Sequence, residues 1–309
     1  MPETEGFWAF RAPQKVDAPK VDDAGWVRTE VDRFILARLE AEKIGPAPRA
    51  DKLTLLRRVC FDLTGLPPTP EQMTAFLADE KEGAFARLVD RLLESEAYGE
   101  RWGRHWMDVV RYADTTGDAT DMPIPEAHLY RDYIIRSFNE DLPYDQFLIE
   151  QLAGDQLNKA EPQSERWEDR IVATGFVAMA QRFGNSKFAD MHLIIENTLD
   201  TVGLGMLGMS LTCARCHDHK FDPITMTDYY GLYGYFEGTQ YPHAGTEHAR
   251  YRENMVPLEQ DPVKATAHKE WSERFAKLSG DLRNAERAVS KKQGDVAKAK
   301  RRVAELKNE

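Results

Sequence analysis

The sequence predicts a mainly α-helical fold, in which a compact multi-helix domain is followed by a C-terminal coiled-coil helix. Segment after segment carries apolar residues at spacings of three and four, which place them on one face of a helix. Helix-capping residues, glycines and prolines mark where these segments begin and end. With 309 residues, of which 42% are hydrophobic, the chain is long enough to bury a sizeable core.

The composition divides the chain into four parts. Residues 1–25 are rich in proline and charge and show no periodicity, so we expect a linker there. The helical domain then covers 26–245, and a second linker covers 246–261. The tail, 262–309, keeps a heptad register of apolar residues. A single heptad helix leaves its seam exposed, so we expect a partner helix, supplied by a second chain or by the lost half of an antiparallel hairpin.

Each predicted helix of the domain has its own apolar stripe and its own end signals. Thr69, Pro70 and Gln72 are typical of an N-cap, a first helical residue and a capping-box partner. One helix is expected to end near Leu152, before a loop bounded by Gly154 and Pro162. The predicted helices cover residues 26–42, 51–63, 70–79, 84–95, 98–114, 127–139, 141–152, 167–182 and 190–211, followed by one that begins after Thr225.

The most specific motif is Cys213-Ala214-Arg215-Cys216-His217. The pattern C-x-x-C-H is the attachment signature of c-type haem. Two thiols at this spacing can each form a thioether with one haem vinyl group, and the histidine that follows is placed to ligate the iron. The motif therefore predicts covalent haem c, bound by Cys213 and Cys216, with His217 as the proximal ligand.

Three other interpretations of the motif remain open at this stage. A zinc site needs about four ligands, so it would draw on His217, His219 and remote groups, because the sequence has no second C-x-x-C. A thioredoxin-like redox pair would need a βαβ context, and the neighbourhood is predicted helical. The pair could also be buried structural thiols. The third cysteine, Cys60, falls on the apolar stripe of a helix and is predicted to be buried and inert.

His105 is the first candidate for a second iron ligand or a haem-pocket residue. It falls on one helical face with Trp102, Trp106 and Val110, so we expect it to point into an aromatic, apolar environment. A core histidine that is hydrogen-bonded to a carbonyl or carboxylate is the alternative. His219, His192 and His243 are weaker candidates for the same role. Met206 and Met209 are expected to pack in the core.

Charged side chains lie on the opposite face of the same helix. The spacing predicts ion pairs from Arg104 to Asp108 and from Asp108 to Arg111. Ordinary surface pairing is the first interpretation of these residues. The anchoring of haem propionates by one or two of the arginines is the alternative.

Charge and hydropathy limit the partners of the chain. The net charge of −11 makes a nucleic-acid backbone an improbable partner, and no run of apolar residues reaches the length of a membrane span. Residues 1–25 contain no signal peptide. Covalent haem attachment normally takes place outside the cytoplasm. We therefore expect this chain to be a piece of a longer, extracytoplasmic protein.

Several motifs together resemble the planctomycete-type cytochrome c domain family, a family of unknown function. They extend over about 26–240. The matching stretches are VDRFILARL (31–39), FDLTGLPPTP (61–70), YGERWGRHW (98–106), RYAD (111–114), LPYDQF (142–147), QLAGD (151–155) and CARCHDHKFDP (213–223).

The resemblance implies a helical haem-c module in a large exported protein, with Cys213, Cys216 and His217 at the haem and a histidine also at position 105. It further implies a redox partner, such as a neighbouring cytochrome domain of the same protein. The expected function is electron transfer. The alternatives are a haem-dependent oxidoreductase that acts on a small or saccharide substrate near Arg104, Asp108, Arg111 and Asp114, and a non-haem metal-binding or structural module.

Overall fold

A computed structural model describes residues 10–115, 123–179, 191–242, 254–258, 262–291 and 296–308. The described residues form an all-helical protein without strands, as the sequence predicts. The α-helices are α1 (Glu30–Ala41), α2 (Lys52–Thr64), α3 (Pro70–Ala78), α4 (Ala84–Leu93), α5 (Glu96–Val109), α6 (Ala127–Asn139), α7 (Tyr144–Ala160), α8 (Trp167–Ala173), α9 (Gly175–Ala178), α10 (Met191–Val202), α11 (Met226–Glu237), α12 (Pro262–Ser290) and α13 (Val296–Asn308).

The chain falls into two compact units. The first comprises Met1–Arg101 and Asp218–Pro223, and the second comprises Trp102–His217 and Ile224–Glu309. This division does not test the predicted boundaries at 26, 245 and 262, which stay predictions. None of the described helices is both long and apolar enough to cross a lipid bilayer.

The first unit has a small core between α2, α3 and α4. Its buried side chains are Leu56, Cys60, Phe76, Leu88 and Leu92. The predicted capping box at Thr69 is confirmed, because Gln72 N–H donates to the Thr69 hydroxyl and Thr69 N–H donates to the Gln72 side chain. The prediction for Cys60 is also confirmed, since the thiol is buried and burial raises its pKa.

The larger core lies in the second unit and is lined mainly by aromatic and branched side chains. Trp106, Tyr133 and Phe147 illustrate the packing, with the Trp106 and Phe147 ring centroids 5.0 Å apart and the Tyr133 and Phe147 rings stacked at 5.9 Å. Tyr130 and the Trp106 indole both donate to the Gln151 side-chain oxygen, at 2.5 Å and 2.9 Å. The Tyr130 hydroxyl, the Trp106 indole and the Gln151 oxygen therefore satisfy one another inside the core.

A buried carboxylate ties α6, α7 and α8 together. Glu150 on α7 is fully buried and accepts both arms of the Arg166 guanidinium fork at 2.8 Å. It also accepts hydrogen bonds from Tyr133 on α6 at 3.0 Å and from Gln146 at 3.1 Å. Burial alone would raise the pKa of Glu150, but the hydrogen bonds from Arg166, Gln146 and Tyr133 and the charge of Arg166 together hold that pKa below its usual value.

Helix α7 is kinked at the point where the sequence predicts its end. Ala153 has non-helical dihedral angles, which agrees with an end near Leu152, but helical structure resumes after the kink and runs to Ala160, so the loop predicted between Gly154 and Pro162 is wrong. At Gly154 the backbone of α7 approaches α8 closely, and a Cβ atom there would lie 2.0 Å from the Arg170 carbonyl oxygen. The glycine permits helix contact rather than a chain reversal.

The heptad residues of the tail lie on two helices that pack against each other, α12 and α13. Since α12 ends at Ser290 and α13 begins at Val296, the connection is too short to lead back along α12, and the two helices are antiparallel. The expectation of a single heptad helix is therefore wrong, because the tail forms two helices, and the same chain supplies part of the predicted partner helix. Trp271 and Phe275 stack on α12 with centroids 5.3 Å apart and remain exposed.

The close approach at Gly154 predicts a large cost for a single methyl group. We expect Gly154→Ala to lower the free energy of unfolding by about 3 kcal/mol, because α7 or α8 must shift to make room. Gly234→Ala is the matched control. A Cβ at Gly234 meets nothing within 4 Å, so alanine should stabilise α11 by about 0.5–1 kcal/mol. Urea denaturation measures both, and equal effects would contradict the packing.

The buried pair predicts that Arg166→Met destabilises the protein by on the order of 3 kcal/mol at pH 7, because Glu150 loses its main countercharge. In the unmodified chain the Glu150 contribution is lost as pH falls through its lowered pKa. In the variant, burial raises the pKa of Glu150 above its unfolded value, so the destabilisation grows from pH 4 to pH 7. Urea midpoints across that range measure the effect.

Arg104→Met removes the same charge from an exposed pair and serves as the control. Arg104 and Asp108 are both largely exposed, so this variant should cost less than about 1 kcal/mol at every pH. A pH-independent loss in Arg166→Met would contradict the assignment to Glu150.

Candidate functional site

The Cys213–His217 motif follows a helix that ends earlier than the sequence predicts. The prediction of a helix through residue 211 is wrong in its end, because α10 stops at Val202 and a π-helical turn covers Gly203–Leu207. Gly208, with φ +64°, then terminates the turn in the left-handed region that glycine favours. This break lets the chain bend into the motif segment.

A short 3₁₀ helix, Thr212–Arg215, contains Cys213, and Cys216 is its C-cap residue. The amide of Cys216 donates to the carbonyl of Cys213 at 3.4 Å. Because a 3₁₀ helix has three residues per turn, side chains three apart lie on the same face. Leu211 and Ala214 are buried, whereas Cys213 and Cys216 are free and exposed. The C-x-x-C spacing therefore presents both thiols outward from one face.

Three side-chain contacts fix this segment to its neighbours. Thr212 Oγ1 donates to Asp200 of α10 at 2.6 Å, and the Arg215 guanidinium donates to Glu196 of the same helix at 2.6 Å. The Tyr230 hydroxyl of α11 donates to the Arg215 carbonyl at 3.1 Å. Sequence reasoning missed Glu196 and Asp200, because an acidic residue on a helix looks the same whether it faces solvent or a loop far along the chain.

His217 is exposed, as are both cysteines. His219, in contrast, is buried, and its Nδ1 accepts from the backbone amides of Phe221 at 3.2 Å and Asp222 at 2.7 Å. Nδ1 therefore holds a lone pair, and the ring proton is on Nε2. Asp222 also approaches Nδ1 at 3.6 Å, but the two amide donors define the tautomer better than this longer contact.

The one lone pair of this tautomer, on Nδ1, already accepts from the two backbone amides, which counts against His219 as a ligand in the zinc interpretation. Among the described residues, no three His, Cys, Asp or Glu side chains are grouped to hold a metal ion. His219 is instead hydrogen-bonded within its own loop. His192 is exposed, and His243 lies outside the described residues.

His105 does not point into the core, so that expectation is wrong. The buried stripe of α5 passes through Gly103, Trp106 and Val110, and His105 lies at its outer side. Its aromatic neighbour is Trp102, with ring centroids 5.4 Å apart. The same side of α5 packs against the π-helical turn that precedes the motif. Val109 lies so close to Gly205 of that turn that a Cβ added to the glycine would be 2.6 Å from Val109 Cγ1.

The charged residues of α5 do not form one cluster. The predicted pair of Arg104 with Asp108 is confirmed, at 2.9 Å. The predicted pair of Asp108 with Arg111 is not formed. Arg111 instead donates Nη1 to the Asn197 carbonyl of α10 at 3.0 Å, and Asp114 accepts from the Tyr112 hydroxyl at 2.7 Å.

Arg111 combines an unusual backbone with an incompletely paired side chain. Its φ is +60°, and the Tyr112 amide donates to the Met107 carbonyl, which is the C-terminal arrangement in which glycine is usual. Its Nε and Nη2 atoms are buried without a hydrogen-bond partner in the part of the chain that the structure describes. Burial lowers the pKa of Arg111 to about 10, although the charge of Asp200 opposes the shift.

Met206 and Met209 are partly buried against the larger core, which confirms that they pack rather than project from the surface. Exposed apolar side chains also occur near the motif, with Leu204 and Leu207 on the π-helical turn and Tyr230 on α11. An apolar ligand would find suitable surface on these elements.

These features describe an all-helical protein with an outward-facing C-x-x-C-H motif on a fixed 3₁₀ turn. The chain belongs to the PSCyt2 family, described as "Protein of unknown function (DUF1549)", whose model matches residues 30–241. No curated protein and no solved structure matches the chain.

The difference in burial among the three thiols predicts that they react with an alkylating reagent at two different rates. In the reduced, haem-free chain, Cys213 and Cys216 should react rapidly with iodoacetamide. Cys60 should react slower by about two orders of magnitude, since it is buried and burial raises its pKa. Peptide mass spectrometry over a time course measures each rate.

Unfolding in guanidinium chloride is the internal control, because it should make the three rates similar. Rapid labelling of Cys60 in the folded chain, or protection of the Cys213–Cys216 pair, would contradict the described burial.

Proposed function

We propose that this chain is a haem c-binding electron-transfer module of a larger exported protein. The observation that carries the proposal is the 3₁₀ turn, which aligns two free, exposed thiols directly before His217. The donor set suits the group, because c-type haem requires two reduced cysteines on one face and an adjacent imidazole.

The attachment chemistry needs no further reactive residue. The thiol of Cys213 would add across one vinyl double bond and that of Cys216 across the other. In each addition a carbon–sulfur bond would form and the thiol hydrogen would go to the other vinyl carbon, so that no group would leave and no external oxidant would be needed. Bound haem supplies a one-electron couple between ferric and ferrous iron.

The residues around the motif have positioning roles in this proposal. The bonds of Thr212 to Asp200 and of Arg215 to Glu196 hold both ends of the 3₁₀ turn against α10, and Tyr230 holds its last carbonyl. A fixed turn keeps the thiols and His217 in register before the group arrives, which lowers the entropy cost of binding.

His217 is the proposed proximal ligand, and His105 is the proposed second ligand or pocket residue. Support for His105 is that it is exposed beside Trp102, one helical turn from the point where α5 packs on the turn before the motif. An exposed imidazole needs no rearrangement of the core to reach a ligand at the surface.

The finer identity of the module is part of the proposal. The motifs at 31–39, 61–70 and 213–223 resemble planctomycete-type cytochrome c domains, and the family label is consistent with that resemblance. The module would then work outside the cytoplasm and exchange electrons with a neighbouring cytochrome domain.

Export of the full chain in cells with haem-c maturation machinery tests the proposal. A denaturing gel stained for haem should show a stained band of the full chain, because a thioether survives denaturation. Cys213→Ala and Cys216→Ala should each lose most of the stain and shift the pyridine haemochrome band, since one vinyl group stays unsaturated.

Cys60→Ala is the matched control, and it should keep all of its haem. His105→Ala should keep the stain but change the Soret and ligand-field bands. A colourless parent chain, made beside a control cytochrome that matures normally, would overturn the haem proposal, whereas an unchanged spectrum would remove His105 alone.

A further inference from the structure

The guanidinium of Arg111, in the same unit as the motif, has buried nitrogen atoms that no described residue satisfies. Its Nη1 donates to the Asn197 carbonyl, so one edge of the fork is used. The other edge consists of Nε and Nη2, and both atoms are buried without a hydrogen-bond partner among the described residues. An unsatisfied buried donor costs about 1–3 kcal/mol, more for a charged group, so two together require an explanation.

None of the nearby described groups is hydrogen-bonded to the free edge of Arg111. Asp200 is close enough to interact electrostatically with Arg111, but its Oδ1 accepts from Thr212. The Tyr130 hydroxyl donates to Gln151, and the Tyr241 hydroxyl donates to Thr198 at 3.2 Å. No described side chain supplies the two acceptors that the free edge needs.

The free edge has the geometry of a carboxylate receptor. Nε–H and one N–H of Nη2 point in parallel, and together they bind the two oxygens of one carboxylate. We propose that Arg111 binds a carboxylate group of a ligand through this edge. The backbone supports the same conclusion, because the left-handed φ of +60° at a non-glycine residue is unfavourable and here aims a guanidinium toward α10.

The position of Arg111 connects this site with the Cys213–His217 motif. Arg111 is hydrogen-bonded to Asn197 of α10. Arg215 and Thr212 of the motif segment are hydrogen-bonded to Glu196 and Asp200, so all three contacts fall within residues 196–200 of the same helix. In its haem form the inference rests on the function proposed above. A haem carries its propionate carboxylates on the edge away from its vinyl groups, so a propionate is one source of the ligand. A free small carboxylate is the other.

Arginine Nε–H resonances in ¹⁵N NMR test the proposal directly. The full chain is labelled with ¹⁵N-arginine, and Arg111→Lys identifies the Arg111 signal by its loss. Haem-loaded chain, reduced under carbon monoxide to be diamagnetic, is compared with haem-free Cys213→Ser/Cys216→Ser chain. Sodium succinate is then titrated into the haem-free chain, and Arg104 serves as an exposed reference within each spectrum.

A downfield shift and slower exchange of the Arg111 signal in the haem-loaded chain would establish a propionate as the ligand. A saturable response to succinate alone would establish a free carboxylate. The proposal is overturned if the signal is the same in all states, or if it only follows that of Arg104. Should the parent chain carry no haem, the proposed function fails, and the succinate titration alone decides the carboxylate site.

Discussion

The buried carboxylate of Glu150 is the interaction on which the larger unit depends. It accepts from Tyr133 of α6, from Gln146 of its own helix and from the Arg166 fork, which precedes α8, so three helices share one negative charge. Such a charge is costly to bury alone and is tolerated only with full pairing. The aromatic core of Trp106, Tyr133 and Phe147 is packed around this network, and the helices that carry the candidate site are built on that core.

Helix α10 connects the aromatic core to the Cys213–His217 motif. Its inner face, with Ile195 and Leu199, belongs to the aromatic core, and its outer face holds the motif through Glu196 and Asp200. A rigid helix with one buried face and one binding face can fix a short loop without a disulfide or metal. The C-x-x-C turn is therefore positioned by packing that begins far from it in sequence.

Local signals in the sequence predicted much of the fold. The capping box at Thr69 and the buried Cys60 were predictable because periodicity and capping involve residues only a few positions apart. The continuation of α7 through Gly154 was not, because glycine there serves a contact with Arg170, which no local pattern encodes. His105 was misplaced for a related reason. Periodicity shows which side of a helix is apolar, but residues at the edge of that side can be buried or exposed. For such a residue, the elements that pack against the helix decide which of the two occurs.

At Arg111 the backbone conformation favours glycine, whereas the hydrogen bond to α10 requires an arginine side chain. Lys43 ends α1 with the same left-handed geometry, but its side chain is exposed. A stability-guided redesign would place glycine at both positions, since glycine removes roughly 1 kcal/mol of left-handed strain. At 43 the exchange would be harmless. At 111 it would delete the guanidinium. An algorithm that scores folding alone would therefore stabilise the backbone and remove the side chain proposed to bind a carboxylate.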